Sequence, residues 1–231
     1  MRISKTLFIS AVLLMSATGL QAAGFVQKGN YLTVQLKQHQ NFGPSQVRLQ
    51  VVNDQIIRVQ ATAEQSFRNK QSLIIVPQEG KANYKVEEQG DRLVITTAAM
   101  RAVLNEATGQ ITFYDLKGQV LLNEVAQGGK TFKPFTVPDR EIGVDIAKVP
   151  EAQKHGWSWR ALFDSPDNEA FYGLGQHQSE ELNMKGKNED LFQYNTKVSV
   201  PFVISNKNYG ILWDSYSYCR WGNPDDYLPL N

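Results

Sequence analysis

The chain has 231 residues, enough for one large domain or two small ones with a substantial buried core. Hydrophobic residues make up 42% and charged residues 20%, an ordinary globular balance that excludes a disordered chain. With a net charge of +1 and its charges spread along the sequence, it carries no basic footprint for nucleic acid or an anionic membrane.

The first predicted element is an address rather than part of the fold. Arg2 and Lys5 precede an apolar run from Leu7 to Met15, and small and polar residues follow from Ser16 to Ala23. This layout predicts a signal peptide over residues 1–23, cleaved after Ala22 or Ala23, with an apolar run too short to span a bilayer. A periplasmic or secreted location is the expectation. No cysteine follows the run, so no lipoprotein anchor is expected there. Cys219 is the one cysteine, which rules out an internal disulfide. With His39, His155 and His177 all distant in sequence, it reads as a small buried hydrophobe rather than a nucleophile.

Period-two segments then recur. Leu32, Val34 and Leu36 alternate with polar neighbours. Val47, Leu49 and Val51 do the same, and Asn53-Asp54 turns the chain into Ile57, Val59 and Ala61, a predicted hairpin. Leu73 to Val76 is a short apolar run closed by Pro77. Tyr84–Glu88 and Leu93–Thr97 flank Gly90-Asp91, a second hairpin. A meander follows through Ala102–Asn105, Ile111–Asp115 and Val120–Leu122, with turns at Ala107-Thr108-Gly109 and Lys117-Gly118. Regular turn signals without a helical period predict an all-β chain, an antiparallel β-sandwich or barrel. Residues 126–141, with Gly128-Gly129, Pro134 and Pro138, predict a loop or short edge strands.

More than half of the aromatic residues fall between Trp157 and Tyr227. Trp157 and Trp159 share a strand face, and burial against the core is expected ahead of a sugar-stacking role. Gly173-Leu174-Gly175 is no dinucleotide fingerprint, because Gln178 stands where the third glycine would be and no βαβ unit surrounds it. Glycines inside an aromatic strand predict instead a bulge or a close backbone approach. The loop from His177 to Asn195 is long and polar, and its amides and carboxylates suit sugar hydroxyls. The adjacent carboxylates Glu180-Glu181, Glu189-Asp190 and Asp225-Asp226 do not read as a catalytic pair, since strand neighbours point to opposite faces. His177 with Glu180 and Glu181 lacks the helical register that would converge metal ligands, so no metal and no cofactor is expected.

Phe171-Tyr172-Gly173-Leu174-Gly175-Gln176, the polar loop, and the run Pro201-Phe202-Val203-Ile204-Ser205 through Tyr209-Gly210-Ile211-Leu212-Trp213-Asp214 together resemble the N-terminal sandwich of glycoside hydrolase family 31, the α-glucosidases and α-xylosidases. The resemblance spans roughly residues 25–231 and is strongest from Phe163. It implies a galactose-mutarotase-like β-sandwich over residues 24–231, with residues 163–231 as the motif region. It also implies a retaining, exo-acting α-glycosidase, with α-xylosidase activity on xyloglucan fragments ahead of α-glucosidase activity. In that family the glycine-rich strand lies near the active-site mouth and the loop contributes to the substrate pocket. Substrate contacts from Gln193, Asn195 and His177 are therefore implied. Many relatives carry an Asn/Thr-Arg-Asp stretch where this chain has Leu191-Phe192-Gln193-Tyr194-Asn195, which looks closer to the α-xylosidases. The catalytic carboxylates of the family lie in a following barrel, expected beyond Asn231, so this chain alone is expected to be inactive. Its expected partners are that barrel and an oligosaccharide. A free-standing carbohydrate-binding or structural sandwich is the alternative. The apolar ending Tyr227-Leu228-Pro229-Leu230-Asn231 favours a chain that continues.

Overall fold

The computed structural model describes residues 24–37, 41–68, 71–76, 82–127, 129–136, 145–178 and 181–222. The predicted leader, His39, Glu180 and the Asp225-Asp226 pair lie outside the described residues. Two antiparallel meanders come first. β1 (Phe25–Lys28), β2 (Tyr31–Gln35), β3 (Gln46–Asn53) and β4 (Ile56–Thr62) form a four-stranded sheet in chain order. β5 (Tyr84–Glu88), β6 (Arg92–Thr97), β7 (Arg101–Asn105), β8 (Ile111–Tyr114) and β9 (Val120–Asn123) form a five-stranded one.

The alternation read from the sequence is what joins them. Leu32, Val34, Val47, Leu49 and Val51 of the first sheet and Leu93, Ile95, Ala102, Leu104 and Ile111 of the second are buried in one apolar cluster. Each buried valine, leucine or isoleucine among them stabilises the sandwich by roughly 1.5–3 kcal/mol. Both predicted hairpins form, and the Asn53 side chain accepts the Gln55 N–H at 2.9 Å to close the first turn.

β10 (Lys130–Thr136) and β11 (His155–Ala161) pair as a two-stranded ribbon, after a 3-10 turn at Ile146–Lys148 and a single helical turn, α1 (Glu151–Lys154). Pro134 is tolerated because, among the described residues, no strand pairs with the other edge of β10, where only the Phe132 N–H is taken, by Phe42 O at 2.7 Å. A buried ion pair fixes the start of the ribbon. The Glu124 carboxylate takes the Ile111 N–H at 2.9 Å and the Lys130 ammonium, which also donates to Gly109 O at 2.9 Å. Burial pushes Glu124 up and Lys130 down from their ordinary values.

The last third is built from β12 (Phe171–Gln176), β13 (Glu189–Leu191), β14 (Val198–Ser205), β15 (Tyr209–Leu212) and β16 (Cys219–Trp221). β12, β14 and β15 make a three-stranded sheet, and β13 pairs with β16. A second apolar cluster holds Phe171, Leu174, Met184, Leu191 and Val203, closed by Tyr209, Ile211, Trp213, Cys219 and Trp221. Trp221 sits edge-on to Phe171 at 5.2 Å and stacks on Trp213 at 5.8 Å. Cys219 packs into this cluster half-buried, and burial pushes its thiol up, away from a nucleophilic state. Asp214, at the end of the Ile211–Asp214 motif, ties the unit to the first sheet. It accepts Arg58 Nη2 at 2.8 Å, Ser72 Oγ at 2.9 Å and the Tyr216 hydroxyl at 2.7 Å.

The apolar run Leu73–Val76 joins no ladder, and Leu73 and Val76 are 79% and 75% exposed. One expectation changes: Trp157 and Trp159 are not buried but 41% and 49% exposed. They do share a face, opposite Pro134 and Phe132. The Trp157 indole N–H reaches Glu64 at 3.2 Å.

Candidate functional site

The glycine-rich strand shapes the site. β12 and β14 pair from Phe171↔Ser205 to Gly173↔Val203, then shift register before Gly175↔Ser199. Gly173, Leu174 and Gly175 all have positive φ, which turns the Leu174 side chain fully into the second cluster. At Gly175 a β-carbon would collide with Val198 O and lie 2.9 Å from Val200 N, so the strands touch backbone to backbone there. The predicted bulge is thus present, and it delivers the chain into the polar loop.

That loop is anchored rather than free. The Asn183 carboxamide oxygen accepts the Phe171 N–H at 3.0 Å, and Met184 N donates to Phe171 O at 2.8 Å. Met184 and Leu191 bury into the second cluster. As the alternation required, Glu189 and Asp190 face opposite ways. Glu189 turns inward, where its carboxylate meets the Lys197 ammonium and lies 2.9 Å from His177 Nδ1. Asp190 turns outward and accepts the Tyr218 hydroxyl at 2.6 Å, while Arg220 Nε donates to Tyr218 at 2.7 Å. Burial, followed by the Asp190 hydrogen bond, pushes the Tyr218 hydroxyl up and keeps it a neutral donor.

His177, Gln193 and Asn195 take different places. His177 is buried at 4% side-chain exposure, with Nε2 2.7 Å from Leu174 O, so it connects the bulge to Glu189. Its Nδ1 approaches Glu189 without hydrogen-bond alignment. Gln193 and Asn195 are exposed. The Gln193 carbonyl oxygen accepts the Ser199 N–H at 3.0 Å. Asn195 sits in the turn bridged by Tyr194 and Lys197.

Sequence reasoning missed the aromatic group around them. Phe192 and Tyr194 stack at 5.0 Å with planes 22° apart, and Tyr218 lies 5.9 Å from Phe192. All three are exposed, with the Lys197 ammonium near 6 Å from the first two rings (6.0 and 5.9 Å). Phe192 and Tyr194 are two residues apart, a spacing that could have revealed a shared face; Tyr218 immediately precedes β16, whose pairing with β13 brings it there and which no local pattern reports. Flat apolar faces ringed by amides, a carboxylate and a guanidinium are chemically suited to a pyranose, whose C–H faces stack and whose hydroxyls pair. A cavity of about 310 Å³ lies elsewhere, lined by Tyr114, Asn123, Asp164, Glu169 and Lys207 among others, and includes none of the predicted site residues.

A second surface adjoins this one. The outer side of β14 presents Val198, Val200, Phe202 and Ile204, and Tyr172 and Leu212 extend it onto the neighbouring strands; all are exposed. The inner side carries Val203 and Ser205, both buried. A strand that is apolar on its outer side while its inner side packs the core belongs between two layers.

The chain belongs to the glycosyl hydrolase 31 N-terminal galactose mutarotase-like domain family, whose model matches residues 46–221. It is 27% identical over 178 residues to an uncharacterized family 31 glucosidase of Pseudescherichia vulneris, covering 73% of this chain and 32% of that protein. It is 25% identical over 185 residues to an alpha-xylosidase of Saccharolobus solfataricus, covering 76% of this chain and 23% of that one. The crystal structure of a GH31 alpha-xylosidase from Xanthomonas citri superimposes with a TM-score of 0.73 at 37% identity, over 86% of this chain and 20% of that one. The chain thus spans a third or less of the length of each of these relatives.

Proposed function

We propose that this chain is the N-terminal, non-catalytic domain of an exported, periplasmic or secreted, retaining α-glycosidase. The enzyme removes terminal α-linked sugars from oligosaccharides, α-xylosides ahead of α-glucosides. The observation that carries the reading is the exposed, apolar outer side of β12, β14 and β15 beside a loop that presents Gln193, Asn195, Phe192 and Tyr194. A catalytic barrel seated on that face would place the loop at the rim of its pocket. There Gln193 and Asn195 hydrogen-bond sugar hydroxyls, and the buried His177 and Glu189 hold the loop's base. Retaining hydrolysis needs a nucleophile and an acid/base about 5–5.5 Å apart. The loop's own carboxylates are otherwise engaged, Glu189 with Lys197 and Asp190 with Tyr218. Both catalytic groups are therefore assigned to the barrel. The similarity to two alpha-xylosidases, and the Leu191–Asn195 stretch, support xylosides as the first substrate class.

The test is kinetic. Purified chain is expected to release no aryl alcohol from aryl α-xyloside or α-glucoside. In the enzyme containing this domain, Gln193→Ala and Asn195→Ala are expected to lower kcat/KM. Turnover by the chain alone that disappears in Glu189→Gln would overturn the assignment.

The stacked Phe192–Tyr194 pair also favours a second reading, a free-standing carbohydrate-binding sandwich. That reading requires the isolated monomer to bind xylose-terminated oligosaccharides without any partner domain.

A further inference from the structure

At the far end of the chain, Gly24 lies against a buried carboxylate whose cation is distant and shared with a second acid. Glu106, in the turn between β7 and β8, is 2% exposed, and its Oε1 has no hydrogen-bond partner. Its Oε2 has Lys37 Nζ at 3.5 Å, but that ammonium makes its short contact, 2.6 Å, with the exposed Asp91. A buried carboxylate with one bare oxygen and a distant counter-charge is costly to fold. The neighbour that could satisfy it is Gly24. Around the position a Gly24 β-carbon would take, Glu106 Cδ lies at 2.7 Å and Oε1 at 2.9 Å, so only a glycine fits without displacing the carboxylate. On its other side, Gly24 N donates to Glu88 Oε1 at 2.6 Å. Gly24, the first described residue, therefore sits between two carboxylates, one exposed and one buried.

We propose that the leader is cut between Ala23 and Gly24, and that the new Gly24 ammonium is the close cation of this site, held by Glu88 and Glu106. The inference rests on the export reading and specifies its cleavage bond. Water is the co-reactant: the Ala23–Gly24 amide bond breaks, Ala23 leaves as a carboxylate, and the Gly24 nitrogen becomes an ammonium. An amide N–H at residue 24 offers one donor and no charge. An ammonium offers three donors and a full positive charge beside two acceptors. Processing would thereby convert an electrostatic defect of the precursor into a clamp joining β1 to the β5–β6 and β7–β8 turns. Cleavage one residue earlier, after Ala22, would move the ammonium out of this seat.

The test uses the full chain exported with its own leader from a bacterial host, and reads the N-terminus by intact mass. The expected mature chain begins at Gly24. Its α-amine is expected to react with an amine-acylating reagent near neutral pH at least about tenfold more slowly than that of Glu106→Gln, because the clamped ammonium holds its proton and is shielded. If Glu106→Gln does not accumulate, exposed Glu88→Gln gives the same comparison with a smaller change. A chain that keeps Met1 overturns the export reading and the inference with it. A chain cut at another bond, or a Gly24 amine equally reactive in wild type and both variants, overturns the inference alone.

Discussion

Gly175→Ala offers the sharpest test of the geometry that forms the site. Gly175 has φ +97°, a left-handed conformation that costs an L side chain about 1–2 kcal/mol. The added methyl would also strike Val198 O and crowd Val200 N at 2.9 Å, both backbone atoms of the paired strand. Relief requires β14 to withdraw, which breaks the Gly175↔Ser199 pairing and opens the seat of Leu174. Adding one lost ladder contact and partial exposure of a buried leucine brings the cost to about 3–5 kcal/mol, a large share of a domain's total stability. At roughly 2–4 °C per kcal/mol for a chain of this size, the melting temperature should fall by about 10 °C. Gly118→Ala is the internal control, because Gly118 has a similar φ of +84° but open space where its β-carbon would go. Its loss should stay near 1–2 kcal/mol, or about 4 °C. Thermal unfolding followed by circular dichroism measures both. Equal shifts for the two variants would refute the claim that close strand approach, rather than φ alone, requires the glycine.

Other outcomes follow from particular contacts. In the enzyme containing this domain, Gln193→Ala and Asn195→Ala should each lower kcat/KM on α-xylosides by about two- to tenfold, the worth of a hydrogen bond of roughly 0.5–1.5 kcal/mol, with the melting temperature nearly unchanged. The Tyr209 hydroxyl donates to the buried Glu169 at 2.6 Å, and burial together with that carboxylate pushes Tyr209 well above its ordinary value. Its contribution is therefore complete below the unfolded value of about 10 and is lost as pH rises beyond it. Tyr209→Phe should cost about 1–3 kcal/mol at neutral pH and flatten the alkaline limb of a stability–pH profile. Leu49→Ala, in the centre of the sandwich core, should cost about 2–5 kcal/mol in denaturant unfolding.

What the sequence revealed divides along a physical line. Alternation at Val47, Leu49 and Val51 announces strands with one buried face, because local periodicity is set by the pleat itself. Turn pairs such as Asn53-Asp54 announce hairpins for an equally local reason. The bulge at Gly173–Gly175 was legible from glycine in an aromatic strand. The partner of each face was not. Val198, Val200, Phe202 and Ile204 look like core in sequence, and nothing in their pattern says that they stay exposed among the described residues. Trp157 and Trp159 misled for the same reason. The pairing of β13 with β16 joins residues about thirty apart, so neither the Asp190–Tyr218 contact nor the burial of His177 behind Glu189 could be anticipated from spacing.

The central claim is that the outer side of β12, β14 and β15 is built to be covered by another domain. The exposed portions of Tyr172, Val198, Val200, Phe202, Ile204 and Leu212 amount to about 400 Å² of apolar surface, worth on the order of 10 kcal/mol when covered. Light scattering of the purified chain, alone and with Val200→Lys and Phe202→Glu together, measures this directly. The account predicts that the chain self-associates and that the double variant is monomeric with an unchanged fold. A wild-type chain that remains a clean monomer at the same concentration and unfolds in one sharp transition would contradict it.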